Sequence, residues 1–434
     1  MNKYFSKIRE MHRHVDKTFL ALYIILLIFS VVALFSSSSS IINQSIAAGH
    51  GPLKPILAQI GYLFGGFVIA YSLQFLPSKY YSKIGYVIFA VGLVMLFLNL
   101  CGVGLTLNGA TRWIRVGGFT IQSSEVAKLG LIIVSTDLLI RIKDKETHNK
   151  YFLIVMSLTM VTCFMIMVGN LSTAILLGVV MILIMFMGRV NWLWLLLLIV
   201  VVLSLLFGGF YYVKTQYVDK HREMHGIMSR AVTWVNRIDG KLVELKTDDN
   251  EIKLTDDNYQ STLARVAVAR GGKSPFGVLP GNSLERYYLP LANADYIFAI
   301  IVEEYGIFGA FVLCFLYLAI LFRCCLTSSK YTDYSAQLLV MGLGVMITTQ
   351  ALLSMMVAVG IVPVTGQPLP LITKGGTSAI ITSLYFGMML GVSRQQHTVM
   401  TEAQEAIKES KENVPTIEVE AEEIEQTENI EEQI

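Results

Sequence analysis

Long apolar runs, separated by short polar breaks, constrain this chain more than any other feature of its sequence. The hydrocarbon core of a bilayer is about 30 Å thick, so a spanning helix needs about 20 mostly apolar residues. The composition agrees, since 54% of the 434 residues are hydrophobic and 15% are charged, against about 25% charged residues in soluble domains. We therefore predict an all-α integral membrane protein with about ten transmembrane helices and one large extracytoplasmic loop. The predicted helices are roughly 19–35, 56–76, 84–100, 124–142, 151–168, 171–187, 192–212, 296–322, 336–362 and 369–392.

Lysine and arginine in the short connections orient these helices, because such residues are retained on the cytoplasmic side. The basic residues of the N-terminus and of alternate connections are Lys3, Lys7, Arg9, Arg13, Lys17, Lys79, Lys83, Arg141, Lys143, Lys145, Lys150, Arg189, Arg323, Lys330 and Arg394. Both termini are therefore predicted to be cytoplasmic, and the long connection at about 213–295 faces outward. The predicted domains are a cytoplasmic N-terminus (1–18), a polytopic membrane domain (19–393) and an acidic, disordered cytoplasmic tail (394–434) with twelve Glu and two Lys from residue 401 onward.

Ionisable residues at the membrane edge are candidates for function, since burying a charge is costly and such residues persist where they pair or act. Glu125 and Lys128 lie one turn apart in the fourth predicted helix, while Asp295, Glu303 and Glu304 lie at the head of the eighth. At a spacing of i and i+3, Glu125 and Lys128 either neutralise each other or serve a ligand.

Asp295 stands immediately before the apolar run YIFAIIVEE. In one interpretation it is a helix N-cap whose carboxylate accepts backbone N–H bonds. In the other, a carboxylate held ionised at the water boundary by the helix N-terminus acts as a general base. The two roles are compatible, and Asp295 is the candidate catalytic residue.

One outward connection, 108–122, breaks the charge rule, because it holds Arg112 and Arg115 around Trp113. Guanidinium groups kept on the translocated side suggest an anionic ligand such as phosphate. The alternative is that arginine and tryptophan anchor the chain at the lipid headgroups.

Three clusters of glycine and proline adjoin the ends of the predicted helices: GGKSPFG (271–277), GNSLERYYLP (281–290) and PVTGQPLPLITKGGTS (363–378). Irregular backbone at membrane depth is tolerated only where it is packed in protein or lines a wet cavity. The clusters therefore indicate a site, although ordinary turns between helices are the simpler alternative.

No P-loop, dinucleotide-binding glycine pattern or HExxH sequence is present. His221 and His225 are spaced to share a helical face, but they lie in a polar segment where a solvated pair is the stronger interpretation. We expect no organic cofactor. A divalent metal is an open alternative, for which the sequence identifies no ligands.

The clusters and the membrane-edge charges together resemble the shape, elongation, division and sporulation (SEDS) family, which includes FtsW and RodA. The matching blocks are NGATRWIRVGGFTIQSSEVAK (108–128), YQ (259–260) leading to GG (271–272), GNSLERYYLPLANADYIFAIIVEEYGIFG (281–309) and PVTGQPLPLITKGGTS (363–378). They occur in order across about two thirds of the chain on a ten-helix layout, and the 285–299 block looks more like FtsW than RodA.

This resemblance implies a peptidoglycan glycosyltransferase that polymerises lipid II, with inversion, at the outer face of the bacterial cytoplasmic membrane. The implied partners are a class B penicillin-binding protein as transpeptidase, other divisome proteins at the division septum and membrane lipids, without nucleic acid. The resemblance carries over Asp295 as the essential acid and Arg112, Glu125, Lys128, Glu303 and Glu304 as supporting substrate-site residues. Arg115 and Lys374 complete the predicted substrate-binding set, as cations for a lipid pyrophosphate.

The chain departs from the family pattern at three places. QPSE of the family reads QSSE at 122–125, PDxGT reads GNLST at 169–173, and SYGGSS reads TKGGTS at 373–378. Asn170 therefore implies that an acid there is dispensable in this branch, and Lys374 replaces a tyrosine near the pyrophosphate. The competing hypotheses are a lipid II flippase or transporter, a non-catalytic scaffold, and an elongation-type polymerase.

Overall fold

The computed structural model describes residues 15–38, 42, 45–46, 49, 51–107, 110–117, 119–142, 145–218, 227–244, 258–289, 292–329 and 333–412. His221, His225 and the tail from 413 onward lie outside these residues. The described chain divides into two compact units, 16–392 and a second one made from its two terminal stretches.

Thirteen α-helices and three strands occupy the part of the chain that the structure describes. In chain order they are α1 (Lys17–Ser37), α2 (Lys54–Leu73), α3 (Lys79–Leu100), β1 (Leu105–Leu107), β2 (Ala110–Val116), β3 (Phe119–Gln122), α4 (Ser123–Leu139), α5 (Lys145–Gly169), α6 (Leu171–Met187), α7 (Trp192–Val213), α8 (Ile227–Glu244), α9 (Tyr259–Gly271), α10 (Glu285–Tyr288), α11 (Ile297–Ser328), α12 (Tyr334–Ala358) and α13 (Gly376–Glu412). A π-helical turn, Lys214–Val218, continues α7.

Eight helices among the described residues are long and apolar enough to cross a membrane: α1, α2, α3, α5, α7, α11, α12 and the first 20 residues of α13. The two other predicted spans are occupied by α4 and α6, which have 17 residues each and are therefore about 25 Å long. The all-α, multi-pass fold class is confirmed. The count of ten spans stays a prediction.

The last predicted helix begins at Gly376 rather than at 369, and the one before it ends at Ala358 rather than at 362. Between them lies an irregular segment, residues 363–375, which we call the re-entrant segment. Pro368 and Pro370 interrupt helical hydrogen bonding there, and Gly366 has a positive φ of 63°. The apolar composition of 369–375 thus reflects burial in protein rather than helix.

A three-stranded antiparallel sheet, which the sequence analysis did not predict, joins α3 to α4. β2 pairs with β1 on one side and with β3 on the other, with Trp113 opposite Gln122 and Arg115 opposite Thr120. The turn between β2 and β3 contains Gly117, whose φ is 55°. The sheet thereby places Arg112 and Arg115 beside the adjoining ends of α3, α4 and α5.

Small residues hold α3 and α4 unusually close together. A Cβ on Gly92 of α3 would lie 2.7 Å from the Cα of Ala127, and a Cβ on Gly130 of α4 would lie 2.5 Å from the backbone of Phe89. Glycine permits such backbone approach between membrane helices. α4, which carries Glu125 and Lys128, is therefore fixed against the bundle.

A break in α11 receives the loop that follows α9. Gly306 has φ 66° and ψ −161°, a conformation that is essentially restricted to glycine. The backbone N–H groups of Val278 and Phe308 donate across the break to the carbonyls of Glu303 (2.9 Å) and Pro275 (3.0 Å). The glycine cluster at 271–277 is thus docked on α11, as expected for irregular backbone packed in protein.

We expect Gly306→Ala to release this loop. A Cβ at Gly306 would lie 2.3 Å from the backbone nitrogen of Gly277, and the backbone conformation itself disfavours alanine by about 1–3 kcal/mol. Limited proteolysis in detergent should cleave the 272–289 stretch faster in the variant. Gly178→Ala, at an α6 glycine with open space around it, is the control, and equal cleavage of the two variants would contradict the docking.

Candidate active site

Asp295 lies in the turn that leads into α11, one residue before the N-cap, Tyr296. No side chain caps α11, and no hydrogen bond to the Asp295 carboxylate is found among the described residues. The N-cap interpretation is therefore not supported. A Cβ on Gly366 of the re-entrant segment would lie 3.6 Å from both Asp295 Oδ2 and Arg112 Nη1, so both side chains approach the backbone of Gly366.

Arg112 and Arg115 lie on opposite faces of β2, because side chains alternate along a strand and the two are three residues apart. Arg112 is half-buried, and its Nε donates to the carbonyl of Gly169 at the end of α5 (2.8 Å). Arg115 is exposed. The structure brings Arg112, but not Arg115, to Asp295.

Two further arginines, which the sequence analysis missed, reach the same place from α8. Arg230 Nη1 donates to the carbonyl of Val168 (2.6 Å), and Arg237 Nη1 donates to the carbonyl of Val364 in the re-entrant segment (3.2 Å). They are seven residues apart, which puts them on one face of a helix. In the sequence, their seven-residue spacing within the outward connection was the signal that could have predicted a shared face.

The charges at this site are unbalanced. Burial raises the pKa of the Asp295 carboxyl above its usual range, while Arg112 and Arg237 oppose that rise. Burial lowers the pKa of Arg112, and repulsion from Arg230 and Arg237 lowers it further. Arg112 and Arg237 thus act on the Asp295 carboxylate, and Arg230 acts on Arg112. This excess of positive charge is the electrostatic setting of an anion-binding site.

This charge distribution does not fit a dedicated divalent metal site. Such ions bind carboxylate and carbonyl oxygens, whereas three cations here would repel them. The described residues hold no group of three or more His, Cys, Asp or Glu side chains that could bind a metal.

A cavity extends the site between the adjoining ends of α3, α4 and α5. Its lining includes the cations Arg112 and Arg230 together with the polar side chains of Asn99, Gln122 and Asn170. The cavity also has apolar walls, among them leucines of α3 and valine and methionine of α5. A ligand with an anionic group and polar substituents matches this lining.

Side chains from five elements hold the carbonyls of the re-entrant segment. The donors and their acceptors are Arg237 to Val364 (3.2 Å), Asn170 to Thr365 (3.3 Å), Gln350 to Pro368 (3.1 Å), Tyr317 to Pro370 (2.5 Å) and Ser30 to Leu371 (2.7 Å). Backbone carbonyls at membrane depth need such partners, because lipid offers none. The segment is thereby fixed where it meets Asp295.

Lys374 lies at the end of the re-entrant segment and is half-buried. Its backbone N–H donates to the carbonyl of Asn293 (3.1 Å), two residues before Asp295. Burial lowers the pKa of its ammonium group. The structure therefore places Lys374 beside the turn that carries Asp295.

Glu125 and Lys128 form a buried ion pair, with 2.7 Å between Lys128 Nζ and Glu125 Oε1. The side chains are 5% and 0% exposed, respectively. Lys128 also donates to Gln350 Oε1 (2.9 Å). The mutual neutralisation expected from the i and i+3 spacing is thus present, and both groups are engaged within the protein.

Glu303 and Glu304 are completely buried in α11. Glu303 accepts hydrogen bonds from the Ser283 hydroxyl, the Leu284 N–H (3.1 Å) and Arg270 Nη1 (3.1 Å). Glu304 accepts from the Ser36 hydroxyl and lies 3.6 Å from Arg286 Nη1. All of these partners except Ser36, which is on α1, bind the segment from α9 to α10 onto α11. Both carboxylates have no exposed surface for a ligand.

The local charges make the pH dependence of the site testable. Arg237→Gln removes a cation that lowers the pKa of Asp295, so the pKa should rise further. A base acts in its ionised form, and the acidic limb of the pH–activity profile should therefore move to higher pH. Lys273→Gln, which removes an exposed cation after α9, should leave the limb in place; equal profiles for all three proteins would contradict this coupling.

The structure is that of a polytopic membrane protein in which arginine side chains lie near one carboxylate, that of Asp295, at adjoining helix ends. A family model for cell cycle proteins of the FtsW, RodA and SpoVE type matches residues 16–398. The chain therefore belongs to the FtsW/RodA/SpoVE family.

Relatives and solved structures agree with this assignment. The chain is 27% identical to a probable peptidoglycan glycosyltransferase FtsW from Enterococcus hirae, over 89% of this chain and 94% of the relative. It is 28% identical to a protein of the same name from Methylomonas methanica, over 86% of this chain and 91% of the relative.

Two solved structures share the fold. A chain of a peptidoglycan synthase complex matches with a TM-score of 0.66 at 22% identity, covering 88% of this chain and 98% of that one. The rod shape determining protein RodA of Thermus thermophilus matches with a TM-score of 0.59 at 21% identity, covering 88% and 97%.

Proposed function

We propose that this protein is a peptidoglycan glycosyltransferase of the FtsW type, which polymerises lipid II into glycan strands at the outer face of the bacterial cytoplasmic membrane. The observation that carries the proposal is the Asp295 carboxylate, partly buried beside Arg112 and Arg237 in a chain of this family. The FtsW relatives, which bear the name of this activity, cover most of the chain.

The reaction needs a base and a stabilised leaving group. The C4 hydroxyl of one lipid II attacks the anomeric carbon of a second, the new glycosidic bond forms with inversion, and the bond to the lipid pyrophosphate breaks. Asp295 takes the proton from the attacking hydroxyl. Its position at a water-accessible helix start, with a pKa raised by burial, suits a general base better than an ordinary surface carboxylate does.

The leaving pyrophosphate gains negative charge as the bond breaks, so preorganised cations accelerate the step. Arg112 is the first candidate, with Arg230 and Arg237 near it. Lys374, whose backbone N–H donates to the carbonyl of Asn293 in the Asp295 turn, is a further one. Arg115, which is exposed on the opposite face of β2, is assigned to the approach of the substrate or to lipid headgroups.

The four other predicted site residues have a structural role in the helix bundle and do not bind the ligand. Glu125 and Lys128 neutralise each other in the bundle, whereas Glu303 and Glu304 hold the α9–α10 segment on α11. These residues support catalysis indirectly, because they fix the position of α11, and the first turn of α11 follows Asp295. Contact with lipid II is not required of them.

The proposed setting follows from the substrate. Lipid II presented on the outer leaflet reaches the site if both termini are cytoplasmic, since the site lies in connections that alternate with the basic ones. A class B penicillin-binding protein would cross-link the strands, and divisome proteins would bring the pair to the septum. The structural match to a peptidoglycan synthase complex is compatible with such a partner.

The test is polymerisation by the purified full-length chain together with its transpeptidase partner. Supplied with lipid II, the complex should produce long glycan strands on a denaturing gel, and lysozyme should digest them. The partner alone is the control for contaminating polymerase. A complex that leaves lipid II monomeric under conditions where it stays folded would contradict the proposed activity and favour the transporter or scaffold alternatives.

A further inference from the structure

Gln350 of α12 lies between the buried ion pair and the re-entrant segment. Its Oε1 accepts from Lys128 Nζ at 2.9 Å, and its Nε2 donates to the carbonyl of Pro368 at 3.1 Å. Gln350 is itself buried, as is Lys128. A continuous chain of hydrogen bonds therefore runs from Glu125 through Lys128 and Gln350 to the backbone of the re-entrant segment.

The chemistry of an amide suits this position. One amide offers an acceptor and a donor on the same planar group, so Gln350 serves a cation on one side and a carbonyl on the other. A carboxylate would keep the contact to Lys128 but could not donate to Pro368. An aliphatic side chain would leave both partners unpaired in a buried place, which is costly.

The chain of contacts ends beside the candidate active site. Pro368 is two residues from Gly366, whose backbone lies against Arg112 and Asp295. At the other end, Lys128 belongs to α4, which Gly92 and Gly130 hold against α3. The position of Gly366 relative to the bundle is therefore tied to Gln350.

We propose that Gln350 is a positioning residue, which transmits the fixed position of the Glu125–Lys128 pair to the re-entrant segment and so sets the geometry around Asp295. It touches no reacting atom. The catalytic part of this inference rests on the proposed function, whereas the effect on the re-entrant segment does not.

The test compares Gln350→Met and Gln350→Glu with a matched control. Thr348 is buried on the same helix, and its hydroxyl donates to a backbone carbonyl, that of Tyr317, at 3.2 Å. Thr348→Val thus also removes one buried hydrogen bond from α12, but that bond goes to the backbone of Tyr317 and should leave the Tyr317 hydroxyl on the Pro370 carbonyl. Amide hydrogen exchange of 364–374 in detergent reports the segment directly, without any need for activity.

Both Gln350 variants should exchange about tenfold faster than wild type at 364–374, because a lost anchor lowers the free energy of local opening. Thr348→Val should exchange there like wild type. With lipid II, Gln350→Met should lower kcat about tenfold or more, since small misplacements of a reacting group are that costly. Its KM should stay within about twofold, as for an interaction that acts in the transition state.

Wild-type exchange at 364–374 in Gln350→Met would overturn the inference, and so would wild-type exchange in Gln350→Glu, which keeps only the contact to Lys128. Faster exchange with unchanged kcat would overturn the positioning role. A wild-type protein that makes no polymer would defeat the proposed function instead, and the exchange contrast would still decide whether Gln350 holds the segment.

Discussion

Asp295→Asn should abolish glycan polymerisation while leaving the protein folded. The amide keeps the size of the side chain but cannot take a proton from the attacking hydroxyl, and loss of a general base costs about 100-fold to 10,000-fold in rate. No hydrogen bond to the Asp295 carboxylate occurs among the described residues, so the substitution breaks none of the hydrogen bonds that the structure describes. Polymer should be measured with the transpeptidase complex, alongside the thermal unfolding midpoint.

Asp333→Asn is the matched control for this prediction. Asp333 is the N-cap of α12, where its carboxylate accepts from the Ser335 N–H at 2.9 Å, and asparagine caps helices about as well as aspartate. This control variant should polymerise like wild type. Polymer from Asp295→Asn in wild-type amounts would remove Asp295 from the mechanism, whatever the overall activity of the chain.

Glu125→Leu should cause the largest loss of stability of the substitutions considered. It leaves the Lys128 ammonium buried without its counter-ion, and breaking one side of a buried pair costs about 3–5 kcal/mol. Adding Lys128→Met should recover part of that loss, because a pair replaced by apolar side chains is often neutral. Unfolding by SDS titration in mixed micelles would measure both variants.

Arg141→Gln is the comparison for the buried pair. Arg141, in the turn just after α4, pairs with Asp137 of that helix at 2.7 Å, but the Arg141 side chain is 49% exposed. Solvent screens such a pair, so its loss should cost about 1 kcal/mol or less. If Glu125→Leu and Arg141→Gln lower the free energy of unfolding equally, burial does not determine the strength of the Glu125–Lys128 pair. The proposed structural role of that pair in α4 would then be wrong.

The membrane helices were predictable because apolar length alone identifies them. The run 171–187 matches α6 at both ends, and 84–100 lies within α3. The run at 369–392 was misleading, since burial in protein and burial in lipid select the same apolar side chains. Only the prolines and Gly366 distinguish the re-entrant segment from a helix.

The candidate site was predictable in part. Asp295 was singled out as a charge at the membrane edge and Arg112 as a basic residue on the translocated side, and the family resemblance then assigned their roles. The Glu125–Lys128 pair was expected from its spacing. Arg230 and Arg237 were missed, since their seven-residue spacing predicts a shared helical face but does not identify the residues that this face contacts. The roles of Glu303 and Glu304 depend on Ser283, Arg270 and Arg286, which approach only when the loop docks on α11.

The most direct measurement reconstitutes the chain and its transpeptidase partner in vesicles, with lipid II supplied from outside. Polymer formation and transfer of labelled lipid II across the bilayer are followed in the same sample, for wild type and Asp295→Asn. If the protein is a polymerase with Asp295 as its base, wild type should form polymer and Asp295→Asn should not. Neither protein should move lipid II across the bilayer faster than empty vesicles do. If wild type instead moves lipid II across the bilayer without forming polymer, and Asp295→Asn does not move it, the account is contradicted and the protein is a transporter.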